Sequence, residues 1–89
     1  MKVSNIIGEN GRPVENQFVI DGDDQSRVFQ SYKTVIVKRF NSGITALDVN
    51  TWRYSRTTIK YRNMFLNEDS ETIERKVKEG TYQLMDLNK

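Results

Sequence analysis

Apolar residues in the first half of the chain alternate with polar ones or gather in short β-branched runs, whereas those of the second half recur at spacings of three and four. Gln17-Phe18-Val19-Ile20-Asp21 is a short β-rich run closed by the turn residues Gly22-Asp23-Asp24-Gln25, and residues 27–32 return as a second strand. Residues 34–40, Thr-Val-Ile-Val-Lys-Arg-Phe, form the most β-branched segment and are expected at the centre of the sheet. Asn41-Ser42-Gly43 offers a turn with glycine where positive φ is required, and residues 44–49 return as a fourth strand. Three successive antiparallel pairings predict a meander, either open or curling toward a barrel. Residues 1–13, broken by Gly8, Gly11 and Pro13, read as a flexible leader, with 14–89 as a single domain.

The period changes after Thr51. Ser55 is placed to cap a helix over Arg56–Leu66, on which Thr58, Ile59, Tyr61, Phe65 and Leu66 share one side and Arg56, Lys60 and Asn63 the other. Arg62 falls on the apolar side. It is expected either to meet a carboxylate or extend its head to solvent, or to act as a buried specificity residue. A second helix over Ser70–Glu79 has Asp69 or Ser70 as its cap, Gly80 as its stop, and Glu71–Arg75 and Glu74–Lys78 at favourable spacing. Residues 81–87 alternate well enough to add a last strand at a sheet edge. The fold class is therefore α+β, with an antiparallel sheet of four to five strands and two helices in the C-terminal half.

Charge sharpens this picture. The chain of 89 residues carries a net +2, but residues 1–26 have two basic and five acidic side chains, residues 27–62 eight and one, and residues 63–89 four and six. A basic middle between acidic ends either marks a site for a polyanion or another partner or is neutralised when the ends fold back. Trp52-Arg53-Tyr54-Ser55-Arg56 with Lys60, Tyr61 and Arg62 interleaves cations and aromatics, the chemistry of stacking, phosphate neutralisation and interface anchoring. The same pattern also arises when the rings fill a core and the cations are its solvated back. Trp52, Arg53, Tyr54, Arg56 and Lys60 are the candidate partner-binding residues; Arg56, Lys60, Arg39 and Lys38 are the candidates for direct nucleic-acid binding.

The chain has no cysteine and no histidine, which removes thiolate chemistry, disulfides and the commonest base and metal ligand. With so short a chain in which to build a pocket, no enzyme, cofactor or metal is expected. Asp21, Asp23 and Asp24 around Gly22 lack the spacing of a calcium loop and read as a solvated turn. Gln30-Ser31-Tyr32-Lys33-Thr34 offers hydroxyls without an activating base and reads as a bend. No segment is long and apolar enough to span a membrane, and a domain this small would gain from forming a homodimer.

Phe29-Gln30-Ser31-Tyr32, Trp52, Tyr54-Ser55-Arg56-Thr57-Thr58, Lys60-Tyr61-Arg62-Asn63, Phe65-Leu66 and the ending Gly80-Thr81-Tyr82-Gln83-Leu84 with Leu87-Asn88 resemble a group of small uncharacterised bacteriophage proteins. The resemblance spans residues 14–88 and is most specific at Tyr-Ser-Arg-Thr-Thr. It implies a phage origin and expression in the host bacterial cytoplasm, but no activity. By analogy with other small phage proteins, the expected partner is a host protein or protein–nucleic acid complex, as for an inhibitor of a defence system such as CRISPR–Cas.

Overall fold

The computed structural model describes residues 1–89. Six strands, β1 (Lys2–Ile7), β2 (Pro13–Asp21), β3 (Arg27–Ser31), β4 (Thr34–Arg39), β5 (Thr45–Asp48) and β6 (Tyr82–Met85), lie side by side in sequence order. The first five pair antiparallel. Helices α1 (Arg56–Leu66) and α2 (Ser70–Glu79) then carry the chain across the sheet, so that β6 joins β5 in parallel. A parallel neighbour requires such a crossover, because a tight turn can only reverse the chain. The expected meander is thus extended to a mixed sheet of six strands, open at β1 and β6 and not a barrel.

The sixth strand comes from the segment expected as a leader. Val3 pairs with Ile20 and Asn5 with Phe18, and Gly8, Gly11 and Pro13 belong to the turn between β1 and β2. There the Gly8 amide donates to the Arg12 carbonyl at 2.8 Å and Gly11 adopts φ +79°, a conformation open to glycine at no steric cost. Of the side chains in β1 only Ile6 is buried. The strand is held mainly by backbone pairing, to which side-chain periodicity is blind.

Val19, Phe29, Val37 and Leu47 stand opposite one another in register across β2 to β5 and form one buried row. Leu66 of α1 and Ile73 of α2 close over it with Trp52 and Tyr82, and Phe65 stacks on Phe29 with ring centroids 5.9 Å apart. The register slips between Phe29 and Gln30 opposite β4, a bulge that leaves Ile36 and Val37 buried in succession. Gln17, beyond Val19 on the same side of β2, is 1% exposed, and its Oε1 finds no partner. Gln17→Met keeps the volume and removes that penalty; thermal unfolding is expected to show a variant at least as stable as the parent, by up to about 1 kcal/mol.

Both helices have the expected bounds and caps. Ser55 Oγ accepts from the Thr58 amide at 3.1 Å and Asp69 Oδ1 from the Thr72 amide at 2.8 Å, while Gly80 ends α2 at φ +84°. The surface ion pairs differ from the expected ones: Arg75 takes Glu79 at 3.3 Å, and Glu74 takes Arg53 at 3.4 Å from the preceding loop. The three aspartates of the β2–β3 turn are engaged separately, Asp21 with Arg27, Asp23 with the N-terminal amine and Asp24 with the Ser26 amide. Neither helix is long and apolar enough to cross a membrane.

Candidate functional site

The loop from β5 into α1 is built from the inside outward. Asp48 Oδ2 accepts from the Thr51 hydroxyl at 2.5 Å, and the Asp48 carbonyl accepts from the amides of Thr51 and Trp52, so the chain reverses at the end of β5. That turn drives the Trp52 ring into the core, where it is 6% exposed. Trp52 is therefore a packing residue and is withdrawn from the partner-binding set. Its carbonyl accepts from Arg62 Nη1 at 2.8 Å, and its ring supports the guanidinium of Arg53 at 4.7 Å and that of Arg62 at 5.6 Å.

Arg62 is 1% exposed and meets no carboxylate, contrary to the expectation of an ion pair or an outward-reaching head. Neutral acceptors surround it instead. Asn63 Oδ1 takes Nε at 3.1 Å and Nη2 at 2.8 Å, and Ser70 Oγ takes Nη2 at 3.3 Å. Burial pulls the Arg62 pKa down and the field of Glu74 opposes this; a guanidinium starts so high that it stays charged. One side chain thus ties the β5–α1 loop, α1 and the first turn of α2 together.

The other candidate residues face water. Tyr54 is 77% exposed, and Arg53, Arg56 and Lys60 are exposed as well, although Tyr54 lines a concavity with the β3–β4 turn and Lys60 one with the β1–β2 turn. Arg53 is partly neutralised by Glu74, although both side chains are more than half exposed and such pairs contribute little. Arg56 and Lys60 take part in none of the ion pairs of the fold, and Lys60 lies 5.4 Å from the Tyr61 ring. The two spacing-related cations of the helix therefore keep their charge free.

Arg39 and Lys38 are not part of this group. The Arg39 guanidinium lies 6.0 Å from the Phe65 ring in the last turn of α1, about 14 Å of helix axis from Arg56. Lys38 alternates with Val37 and Arg39 and so projects from the opposite face of the sheet, 4.7 Å from Phe40. The four residues named for direct nucleic-acid binding thus divide into one pair and two separate positions.

Sequence reasoning missed a cavity of about 320 Å³ where the β3–β4 turn meets the start of α1. Ser31, Tyr32 and Thr34 line it from one side, Thr51, Tyr54, Ser55, Thr57 and Thr58 from the other, and Ile36 forms the apolar remainder. The bulge in β4 brings Ile36 to this wall. Ser31 and Tyr32 face Tyr54, Ser55, Thr57 and Thr58 here. The density of hydroxyls in each was visible in the sequence, but their meeting across more than twenty residues was not.

The carboxylates with displaced pKa values serve the fold. Burial acts to raise the Glu68 carboxyl, but hydrogen bonds from Lys76 and Tyr82 outweigh it and hold the pKa below the ordinary value. Asp48 is held low in the same way, with burial opposed by Thr51 and the Leu87 amide.

Comparison with curated proteins and with solved structures gives no match in either set. The family DUF8033, described as a family of unknown function, matches residues 1–81, and the chain belongs to it.

Proposed function

We propose that the protein is a non-catalytic binding module, encoded by a bacteriophage and acting in the host cytoplasm, that docks on a host protein or protein–nucleic acid complex through Arg53, Tyr54, Arg56 and Lys60. The observation that carries this reading is the exposure of the Tyr54 ring together with Arg56 and Lys60, one helical turn apart on α1, two cations with no carboxylate partner. Tyrosine and arginine concentrate binding energy when a partner removes them from water. Unneutralised charge adds steering toward an acidic surface. The chain has neither histidine nor cysteine, and its shifted carboxylates are engaged in structural bonds. An inhibitor of host machinery, a defence system included, is the class that these features suit.

The test is capture from bacterial host lysate at physiological salt, with the parent protein beside Arg56→Glu/Lys60→Glu. Both positions are exposed, so unfolding curves of the variant are expected to match the parent within about 0.5 kcal/mol. A host component retained by the parent and lost by the variant supports the reading. No specific component, or equal recovery by both proteins, contradicts it.

A second reading is direct binding of single-stranded DNA or RNA, favoured by Tyr32, 60% exposed, on the same cavity rim as Tyr54. It requires affinity to fall steeply with salt, with Arg56→Gln or Lys60→Gln each flattening the logarithmic slope by about 0.7. Binding insensitive to salt would remove this reading.

A further inference from the structure

The cavity at the start of α1 is lined by none of Arg53, Arg56 and Lys60 and has a chemistry of its own. Eight of the nine residues that line it carry a hydroxyl, and none carries a carboxylate. Its volume of about 320 Å³ falls at the low end of the range for small-molecule sites, roughly 300–1,000 Å³.

Three observations define what it would hold. The first is donor supply at the helix end. Ser55 satisfies the Thr58 amide through its hydroxyl and the Ile59 amide through its carbonyl, while the amides of Arg56 and Thr57 donate to nothing in the protein. Eleven residues of α1 align their peptide dipoles behind these amides, so the position favours a negative group. The second observation is independent of the helix. Ser31, on β3, is 6% exposed and lines the cavity, yet its hydroxyl makes no hydrogen bond within the protein. The hydroxyl is therefore free to bond a ligand that enters the cavity. The third is the rim. Tyr32 and Tyr54 are both exposed and both line the cavity, and Tyr32 is held at φ +56°, a left-handed conformation unusual for a bulky side chain. Its amide is fixed to the Asn16 carbonyl at 2.6 Å, which keeps the strained residue in place.

An anion-accepting floor of amides and hydroxyls beneath two exposed rings matches a phosphate joined to an aromatic base. We propose that this cavity binds the 5′-phosphate of a nucleotide, with the phosphate against the Thr57 amide at the start of α1 and the Ser31 hydroxyl and the base at Tyr32 and Tyr54. The Arg56 side chain, free of any carboxylate, supplies counter-charge from outside. The nucleotide is either free or the 5′-phosphorylated end of a strand, since the group recognised is the same. The inference goes beyond the surface reading: it concerns the hydroxyl-lined cavity and stands or falls separately from capture of a host component.

The test is a titration of the ¹⁵N-labelled full chain, followed by amide spectra, with adenosine monophosphate, adenosine, a 5′-phosphorylated trinucleotide and the same trinucleotide ending in a 5′-hydroxyl. The expected result is saturable movement of the Thr57 amide with adenosine monophosphate, the phosphorylated trinucleotide, or both, and little movement with the two unphosphorylated probes. Response to the mononucleotide alone identifies a free nucleotide; a stronger response to the phosphorylated trinucleotide identifies a strand end. Ser31→Ala removes a hydroxyl that bonds nothing in the free protein, so it leaves the fold intact and is expected to weaken binding about tenfold. Equal responses to phosphorylated and unphosphorylated probes, movement confined to other amides, no movement at millimolar ligand, or unchanged affinity in Ser31→Ala would each overturn the proposal. Positive spectra with failed lysate capture leave this site standing and remove the surface reading; capture without spectral change does the reverse.

Discussion

Arg62→Ala is expected to lower the unfolding free energy by about 3–5 kcal/mol, which for a domain of this size is a large share of the whole. The guanidinium is 1% exposed and donates to the Trp52 carbonyl, Asn63 Oδ1 and Ser70 Oγ. Truncation leaves those three acceptors facing a cavity, so loss of packing and loss of hydrogen bonds act together. Lysine is expected to recover only a minor part, because one ammonium cannot reproduce the planar fork that reaches the loop and both helices at once. Methionine fills the space without serving the acceptors and should fall between alanine and the parent. Urea unfolding monitored by Trp52 fluorescence measures the series. An alanine variant within about 1 kcal/mol of the parent would show that the buried charge costs as much as its bonds return. The substitution also bears on the proposed contact surface, since Arg62 fixes the loop that carries Arg53 and Tyr54.

Asp48→Ala is expected to cost about 3 kcal/mol at neutral pH and to change the response to acid. The carboxylate accepts from the Thr51 hydroxyl at 2.5 Å and from the Leu87 amide at 3.0 Å, joining the turn after β5 to the C-terminal segment. That segment continues to Asn88, whose side chain exchanges two hydrogen bonds with the backbone of Val35, at 2.7 and 2.9 Å, along the part of β4 that β5 does not reach. Loss of Asp48 therefore also releases the cover on β4. Burial pushes the Asp48 pKa upward, but the hydrogen bonds prevail and hold it below 3.8. With the folded pKa depressed, its stabilising contribution is complete above the unfolded value, near 3.9, and is lost as pH falls through the lower folded value. Glu68, also depressed, acts in the same direction. The parent should lose stability steeply below about pH 4. Asp48→Ala should start lower and decline less over that range, as urea midpoints from pH 7 to pH 2.5 would show. Parallel curves for the two proteins would mean that Asp48 is not held below its ordinary pKa.

The helices were legible because their signals are local. Ser55, Asp69 and Gly80 mark ends that depend on one turn of chain, and of the side expected to be apolar, Thr58 and Leu66 are buried while Ile59, Tyr61 and Phe65 are partly so. Strand existence was legible where β-branched residues concentrate, as in residues 34–39. β1 was not, because an edge strand with one buried side chain has no periodicity to display. The parallel placement of β6 depends on the path of two helices, which no residue of Tyr82–Met85 encodes. Among the candidate residues, Arg53, Tyr54, Arg56 and Lys60 are exposed, as a contact surface needs, whereas Trp52 is buried because the turn at Asp48 rotates it inward. The fate of Arg62 could not be read either: its acceptors are a backbone carbonyl, an amide and a hydroxyl, groups that a charge pattern does not register.

The most direct measurement of the proposed contact surface is hydroxyl-radical footprinting of the full chain in buffer and in bacterial host lysate. Tyr54 is exposed and readily oxidised in the free protein. Protection of Tyr54 in lysate, reversed by high salt and absent in Arg56→Glu/Lys60→Glu, is the result that this account expects. Oxidation of Tyr54 to the same extent in both media, or protection confined to residues such as Val3 and Leu84 at the two edges of the sheet, would contradict it.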